Sequence, residues 1–331
     1  MKYINKHSSV KIFLFFASMS FFLFFSYLNF SFNNKIYNVN NKILIIKEGT
    51  TVSKNIKYFK IKKIIDSQLR FKILSYLYDA KPRFINGKYE ISKHETEYTL
   101  LKKIVNGNLL QESITIVEGS TYSEIIKILK NQSTINSMKF NHNYEKIFLS
   151  STNYTSAEGL CFPDTYKFSS GISLEDFLAN CFANMETILL KYWRNRDFSL
   201  PYSSPYEMLI MASIIEKETS IASEKPLISS VFINRLKKNM RLQADPTVIY
   251  GMKNYKGNIS KKDLKSKNEY NTYRIDGLPK TPICSPAESS IEAASKPADS
   301  EFLYFVANNE GKHIFSKNYN DHIKAVNKYQ K

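Results

Sequence analysis

The sequence predicts an α+β protein carried on one N-terminal membrane helix, and three observations lead there. A stretch without a single charge, Ile12 to Asn34, lies close to the amino terminus. Beyond it, short β-patterned runs mix with helical runs in no regular βαβ alternation, which excludes a doubly wound parallel sheet and leaves α+β. With 331 residues, 43 % hydrophobic and 14 % aromatic, the chain can bury one large core or two ordinary ones.

The charge-free run "IFLFFASMSFFLFFSYLNF" has close to the length needed to cross a bilayer core. Tyr27, Asn29, Phe30 and Phe32 occupy the region where a cleaved signal would need small residues, so residues 12–32 are read as a retained anchor. Lys2, Lys6 and Lys11 precede the run, and only Lys35 closely follows it. The positive-inside rule therefore expects residues 1–11 to be a cytoplasmic head and everything beyond about residue 36 to lie outside the cytoplasmic membrane.

Residues 43–112 read as a small unit. "KILIIKEG" is a strand, lysine-rich helical stretches run around Ile61 to Tyr78, "FINGKYEIS" is a turn and strand, and "EYTLLKKIVNG" is a helix stopped by Gly107. A larger unit, 113–331, opens on the strand "ESITIVEG" and a helix capped by Ser120 or Thr121, with Glu124 in its first turn. Gly159 and Pro163 in "AEGLCFPDTYKF" predict a fixed loop. Near the end "FLYFVA", "NNEG" and "KHIF" read as strand, turn and strand, followed by a helix from about Asn320.

A net charge of +17 and a pI near 9.5 raise nucleic acid, an anionic membrane and the cell wall as partner classes. Lys, Asn, Ile, Phe and Tyr crowd the whole chain, as an AT-rich genome imposes, and no Arg-rich arm, zinc knuckle or RNP-like aromatic pattern is present. No nucleic-acid partner is expected. Cys161, Cys181 and Cys284 show neither C-x-x-C nor Cys/His metal spacing, so the sequence predicts no metal, no cofactor and no disulfide framework, with each cysteine a small buried hydrophobe.

The chemistry concentrates around "MASIIEKETSIASEKP", where two glutamates close an almost wholly apolar run. Read as one helix over 206–225, the stretch puts Met208, Met211, Ile215, Glu218 and Ala222 on one face by their 3-4-3-4 spacing. Glu218 then lies on an apolar stripe, whereas Glu216, about 200° away, shares its face with Ser220 and Ser223 and is wetter. Burial raises a carboxyl's pKa, as a general acid working near neutrality requires, and this favours Glu218 over Glu216. The competing reading is that both merely pair with Lys217, Lys225 or Arg235.

"VFINRLKKNMRLQADPTVIYG" begins as a helix with Phe232, Leu236 and Met240 or Asn239 inward, then becomes irregular at Pro246. Gln243, Asp245, Thr247 and Tyr250 in that irregular part offer hydrogen-bonding groups to a polar ligand. "YNTYRIDGLPKTPICSP" places Tyr270, Asn271, Thr272 and Tyr273 before a Gly277–Pro279 turn, a mixture of aromatic faces and amides that suits a sugar ring as well as it suits an ordinary core.

Together "EGLCFPDTYKF", "ASIIEKET", "VFINRLKKNMRLQADPTVIYG", "YNTYRIDGLPKTPI" and "LYFVANNEGKHIF" resemble the endolytic murein transglycosylases, the MltG or YceG-like family. The resemblance covers almost the whole chain after the anchor and is strongest from Glu158 to His322. It is weaker over 43–112, where "NGKYEIS" implies a LysM-like subdomain. What it implies is a membrane-anchored enzyme that cuts nascent peptidoglycan strands internally, ending their growth, with wall-synthesis enzymes as possible partners. A single acid protonates the oxygen between N-acetylmuramic acid and N-acetylglucosamine, then takes a proton from the muramic C6 hydroxyl as a 1,6-anhydro ring closes. The family's catalytic glutamate falls on Glu218, with Thr219 beside it. Gln243, Asp245, Thr247, Asn271 and Tyr273 are implied in glycan binding or oxocarbenium stabilisation, Glu216 in support, and Glu158 and Asp164 in shaping a loop at the cleft. Lys280 stands where a second proline is common, and Ala287 where glycine usually follows Pro286. Two other functions stay open on these residues: a non-catalytic glycan-binding scaffold, and a hydrolytic muramidase with Asp245 as second carboxylate.

Overall fold

The computed structural model describes residues 5–33, 36, 42–79, 81–132, 135, 148–149, 152 and 154–330. The mixture of helices and short strands is the α+β arrangement predicted, and the chain divides into two compact units, 1–112 with 168–171 and 113–167 with 172–331.

In the first unit, helix α1 (Asn5–Phe32) contains the 21-residue apolar segment Val10–Phe30, about 32 Å long at 1.5 Å per residue. That matches a hydrocarbon core of about 30 Å, and its side chains are exposed along the span, as a lipid-facing helix requires, except Leu28, which is buried against the small unit. Of the expected head, residues 1–4 lie outside the described residues. Strand β1 (Lys42–Ile46) pairs antiparallel with β2 (Gly87–Ile91) in the register Leu44↔Tyr89. Alternation puts Leu44, Ile46, Tyr89 and Ile91 into the core. Between the strands come α2 (Val52–Ile61), capped by Thr51, and α3 (Gln68–Tyr78), capped by Ser67. Helix α2 thus starts well before Ile61, where the lysine-rich pattern suggested the helical stretch. Phe59 and Phe71 meet edge to face in the core, and α4 (Glu97–Asn106) closes it with Leu100, Leu101 and Ile104. Gly107 ends α4 at φ 69°, a left-handed turn that glycine makes without strain.

Strand β3 (Gln111–Thr115) pairs with β4 (Thr165–Ser169). In the second unit α5 (Tyr122–Lys130) carries a reciprocal capping box between Thr121 and Glu124. The loop before β4 is fixed by close packing: Gly159 sits at φ +76°, and a Cβ there would come within 2.6 Å of the Pro282 Cβ. Helix α6 (Leu174–Arg194) leads to α7 (Pro205–Glu218), which is buried continuously from Met208 to Ile215 and packs against α6 and against the first, second and last of the four helices that follow it. These are α8 (Lys225–Lys237), α9 (Asp245–Tyr250), α10 (Lys261–Lys265) and α11 (Glu288–Ser295). The chain closes with the antiparallel hairpin β5 (Tyr304–Ala307) and β6 (His313–Ser316), then α12 (Tyr319–Tyr329).

Three expectations are corrected here. The helix expected over 206–225 stops at Glu218, because Thr219 turns extended and its hydroxyl accepts the Ile221 N–H at 3.1 Å, a local bond that competes with the helical ladder. Pro246 does not break regular structure but sits in the first turn of α9, where a proline's missing N–H costs nothing. Cys161 and Cys181 form a disulfide: the loop lies on α6 with their Cα atoms 4.7 Å apart, and only Cys284 is free and buried.

Candidate active site

The end of α7 is where an apolar helix delivers a carboxyl to an open surface. Glu218 is its last residue, and its side chain lines a cleft of about 500 Å³ shared with Arg235, Gln243, Asp245, Tyr273, Tyr304 and His322. Among the described residues no hydrogen bond holds the Glu218 carboxyl. Burial, reinforced by the nearby Asp245 carboxylate and opposed by the Arg235 guanidinium, pushes its pKa up to about 8. At neutral pH this acid keeps its proton while facing a cleft wide enough for sugar residues.

Asp245 opens α9 and accepts a 2.6 Å hydrogen bond from the Tyr273 hydroxyl. Burial and that carboxylate push the Tyr273 phenol far above its ordinary range, so it stays a donor. Gln243 adopts a left-handed backbone at φ 51°, its N–H bonded to the Thr272 carbonyl. Arg235 reaches out from α8 and spends its guanidinium on backbone: Nε donates to Leu303 O at 2.7 Å and Nη1 to Leu242 O at 2.8 Å. The same group lies 5.2 Å from the Tyr304 ring centre. One cation therefore ties the 241–245 segment to β5 and leaves its field on the cleft.

Behind this wall the remaining polar residues are consumed internally. Thr247 and Thr272 share a 2.9 Å hydroxyl contact, and Thr272 Oγ1 accepts the Ala244 N–H at 2.9 Å. Asn271 donates to the carbonyls of Asp263, Leu264 and Ser266, gathering the loop that carries Tyr273. Thr219 is buried beside Glu224, which accepts both the His313 N–H at 2.9 Å and a 2.7 Å contact with His313 Nδ1.

Glu216 is not the wetter of the pair. Its carboxylate is buried and accepts bonds from Lys225 Nζ (3.0 Å), Ala287 N (3.1 Å) and Ser290 Oγ (2.6 Å), at the start of α11 where free N–H groups welcome an anion. The helical wheel failed because α8 and α11 cover that side of α7, and no periodicity reports on them. Glu158 is likewise buried and outside the cleft, accepting from Tyr122 N and the Tyr250 hydroxyl, both at 2.9 Å, while burial raises its pKa. Asp164 is exposed and does not line the cleft. Sequence reasoning missed Arg235 as an organiser and did not single out Tyr304, His313 and His322. They sit in or after the "LYFVANNEGKHIF" block, but their approach to Glu218 spans some 80 to 100 residues of chain. Among the described residues no group of three or more His, Cys, Asp or Glu could hold a metal.

With this geometry established, comparison with known proteins is decisive. The model of the YceG-like family matches residues 44–328. This chain belongs to the YceG-like family. The endolytic murein transglycosylase of Bacillus subtilis strain 168 is 31 % identical over 303 residues, 86 % of this chain and 83 % of that protein. That of Streptococcus pneumoniae serotype 2, strain D39, is 32 % identical over 176 residues, 51 % of this chain but only 31 % of that longer protein. The crystal structure of a yceG-like protein from Listeria monocytogenes, 29 % identical, superposes with a TM-score of 0.57 over 86 % of this chain and 100 % of the other.

Proposed function

We infer that this YceG-like protein is a membrane-anchored lytic transglycosylase acting on peptidoglycan. The observation that carries the reading is a lone glutamic acid, Glu218, held protonated near neutrality in an open polar cleft. In this reaction Glu218 gives its proton to the oxygen between N-acetylmuramic acid and N-acetylglucosamine, and the C–O bond breaks as positive charge develops on the muramic ring. The resulting carboxylate then removes the proton from the C6 hydroxyl, whose oxygen closes the 1,6-anhydro ring. Glu218 ends as it began, and no water is consumed, so one carboxyl suffices where ordinary glycoside hydrolysis uses two.

Asp245, fixed by the Tyr273 hydroxyl, is the group we assign to stabilising the developing cation. Gln243 and Tyr273 are assigned to holding the glycan, and Thr219, Thr247, Asn271 and Glu216 to keeping the acid and its loop in place. Glu158 and Asp164 are given no contact with substrate. Internal cleavage of nascent strands, ending their elongation, is the role proposed, with wall-synthesis enzymes as the partners such a role implies. Residues 12–32 anchor the chain, and the lysines before them favour a cytoplasmic amino terminus with the catalytic unit, 113–331, outside. The order β1–α2–α3–β2 supports a LysM-like reading of the small unit.

The test is mass spectrometry of muropeptides released from nascent glycan strands by the full chain and by its Glu218→Gln variant. Anhydro-muramyl ends from the parent and none from the variant are expected. The second reading, a hydrolytic muramidase, rests on Asp245 sharing the cleft with Glu218, and products heavier by one water would establish it instead. Strand binding without cleavage by the folded parent would support a scaffold.

A further inference from the structure

The first unit carries an apolar surface that glycan chemistry does not use. In α1, Phe22, Phe25 and Leu28 form one side of a groove of about 700 Å³, and Leu77 and Tyr78 of α3 with Tyr98 of α4 form the other. Leu28 is only 5 % exposed and belongs to the same hydrophobic core as Leu44, Phe59 and Phe71. The apolar span and the small unit are therefore packed as one body. Phe22 lies eight residues before Phe30, the end of the span, which is about 12 Å along the helix axis. With α1 across a bilayer, the groove opens at the depth of acyl chains.

The outer face of α3 fits the same environment. Leu69, Tyr76 and Leu77 are 70, 54 and 58 % exposed, with Lys72 on the surface among them. Tyr78 and Tyr98 meet at 6.0 Å beside the groove, and tyrosines concentrate where a membrane meets water. The basic charge follows the pattern too. Residues 42–112 hold fifteen Lys and Arg against seven Asp and Glu, whereas 113–331, three times as long, hold twenty-eight against twenty-three. Among the described residues none of Lys54, Lys57, Lys62, Lys63 and Lys72 is paired with a carboxylate. Exposed apolar side chains on a unit with lysines free of carboxylate partners bind an anionic lipid surface by insertion and attraction together.

We propose that the small unit is seated on the bilayer, with α3 and Tyr98 at headgroup level and the groove beside α1 filled by an acyl chain of anionic phospholipid. The proposal rests on the reading of α1 as a membrane anchor, and the experiment separates the two. Full-length chain with its single tryptophan removed (Trp193→Phe) is given one new tryptophan at a time: Phe22→Trp in α1, Leu77→Trp in α3, or Phe198→Trp, a position 77 % exposed in the second unit. Each is reconstituted in vesicles of phosphatidylcholine and phosphatidylglycerol, with bromine quenchers on the phosphatidylglycerol acyl chains.

Quenching of Leu77→Trp at least about twofold stronger than of Phe198→Trp is expected, with the excess shrinking when the bromines are on phosphatidylcholine instead. Strong quenching at Phe22→Trp with Leu77→Trp no different from Phe198→Trp would overturn the proposal and leave the anchor standing. Quenching at none of the three would remove the anchor reading, and the proposal with it. An excess that ignores which lipid is brominated would overturn the anionic preference. Shielding of Leu77→Trp from a water-soluble quencher by soluble wall polymer, without vesicles, would assign the face to the wall and overturn the proposal.

Discussion

Replacing Glu218 by glutamine should make the protein more stable, and by an amount that depends on pH. The folded carboxyl has a pKa of about 8, against the ordinary value of 4.5 that the unfolded chain restores. Between those two values the folded state holds a proton that the unfolded state has released, so stability must fall as pH rises through that window. Each pH unit costs the parent about 1.4 kcal/mol, giving up to about 3 kcal/mol at pH 7 and up to about 5 above pH 8.5, water in the cleft reducing both. Glutamine has no proton to lose. The two proteins should therefore unfold alike near pH 4, and the variant should melt roughly 5–10 °C higher at pH 7. Thermal unfolding of both full-length proteins in the same detergent, from pH 4 to 9, provides the curve. A stability difference that stays flat with pH, or a parent more stable than the variant at pH 8, would refute the claim that this acid is held neutral by its surroundings.

Four further outcomes follow from the contacts described. Strand-cleavage rate should hold level up to about pH 8 and decline above it as Glu218 loses its proton, measured as initial rate against pH. Tyr273→Phe removes the donor to Asp245; kcat/KM should drop roughly 10- to 100-fold, while the unfolding midpoint moves by no more than about 1 kcal/mol because that bond is exposed. Glu216→Ala strands the buried Lys225 ammonium and should cost about 3–5 kcal/mol in denaturant unfolding, and pairing it with Lys225→Met should recover much of the loss. Gly159→Ala forces a side chain toward Pro282 at a left-handed φ and should destabilise by about 2 kcal/mol or more, whereas alanine at Gly171, which meets nothing within 4 Å, should cost only its backbone strain.

Much of this was legible in the residues because it is local. The cap at Thr121, the stop at Gly107 and the hairpin around "NNEG" are all decided within a few positions. That Glu218 would be desolvated was legible because eight buried residues, seven of them apolar, precede it in the helix, so even a wrong helix end left its carboxyl on the apolar side. What escaped the sequence is what depends on distant partners. Glu216 appeared wet until α8 and α11 covered it, and Arg235 looked like an ordinary helix cation until the carbonyls of Leu242 and Leu303 arrived around it. Cys161 and Cys181 are separated by a loop, a strand and the first turns of a helix, and no spacing rule reveals that these bring two sulfurs together. Asn271 and Thr247 carried a sugar-binding pattern yet are spent on holding a loop, since an amide on the surface and one inside read the same.

The stop of α7 at Glu218 has an electrical consequence. At the final turn of a helix the carbonyl groups have run out of N–H partners, and their oxygens gather the equivalent of about half a negative charge. A carboxyl placed there is discouraged from ionising by the backbone itself. That influence cannot be mutated away, and bulk salt reaches it poorly once the cleft is covered. Because burial is the largest cause of the raised pKa and the helix end adds to it, replacing Asp245 by asparagine should lower the acid's pKa only part of the way to 4.5. A glycan that displaces water from the cleft leaves those carbonyls even less shielded, so substrate arrival tightens the acid's hold on its proton just before the proton is to be passed on.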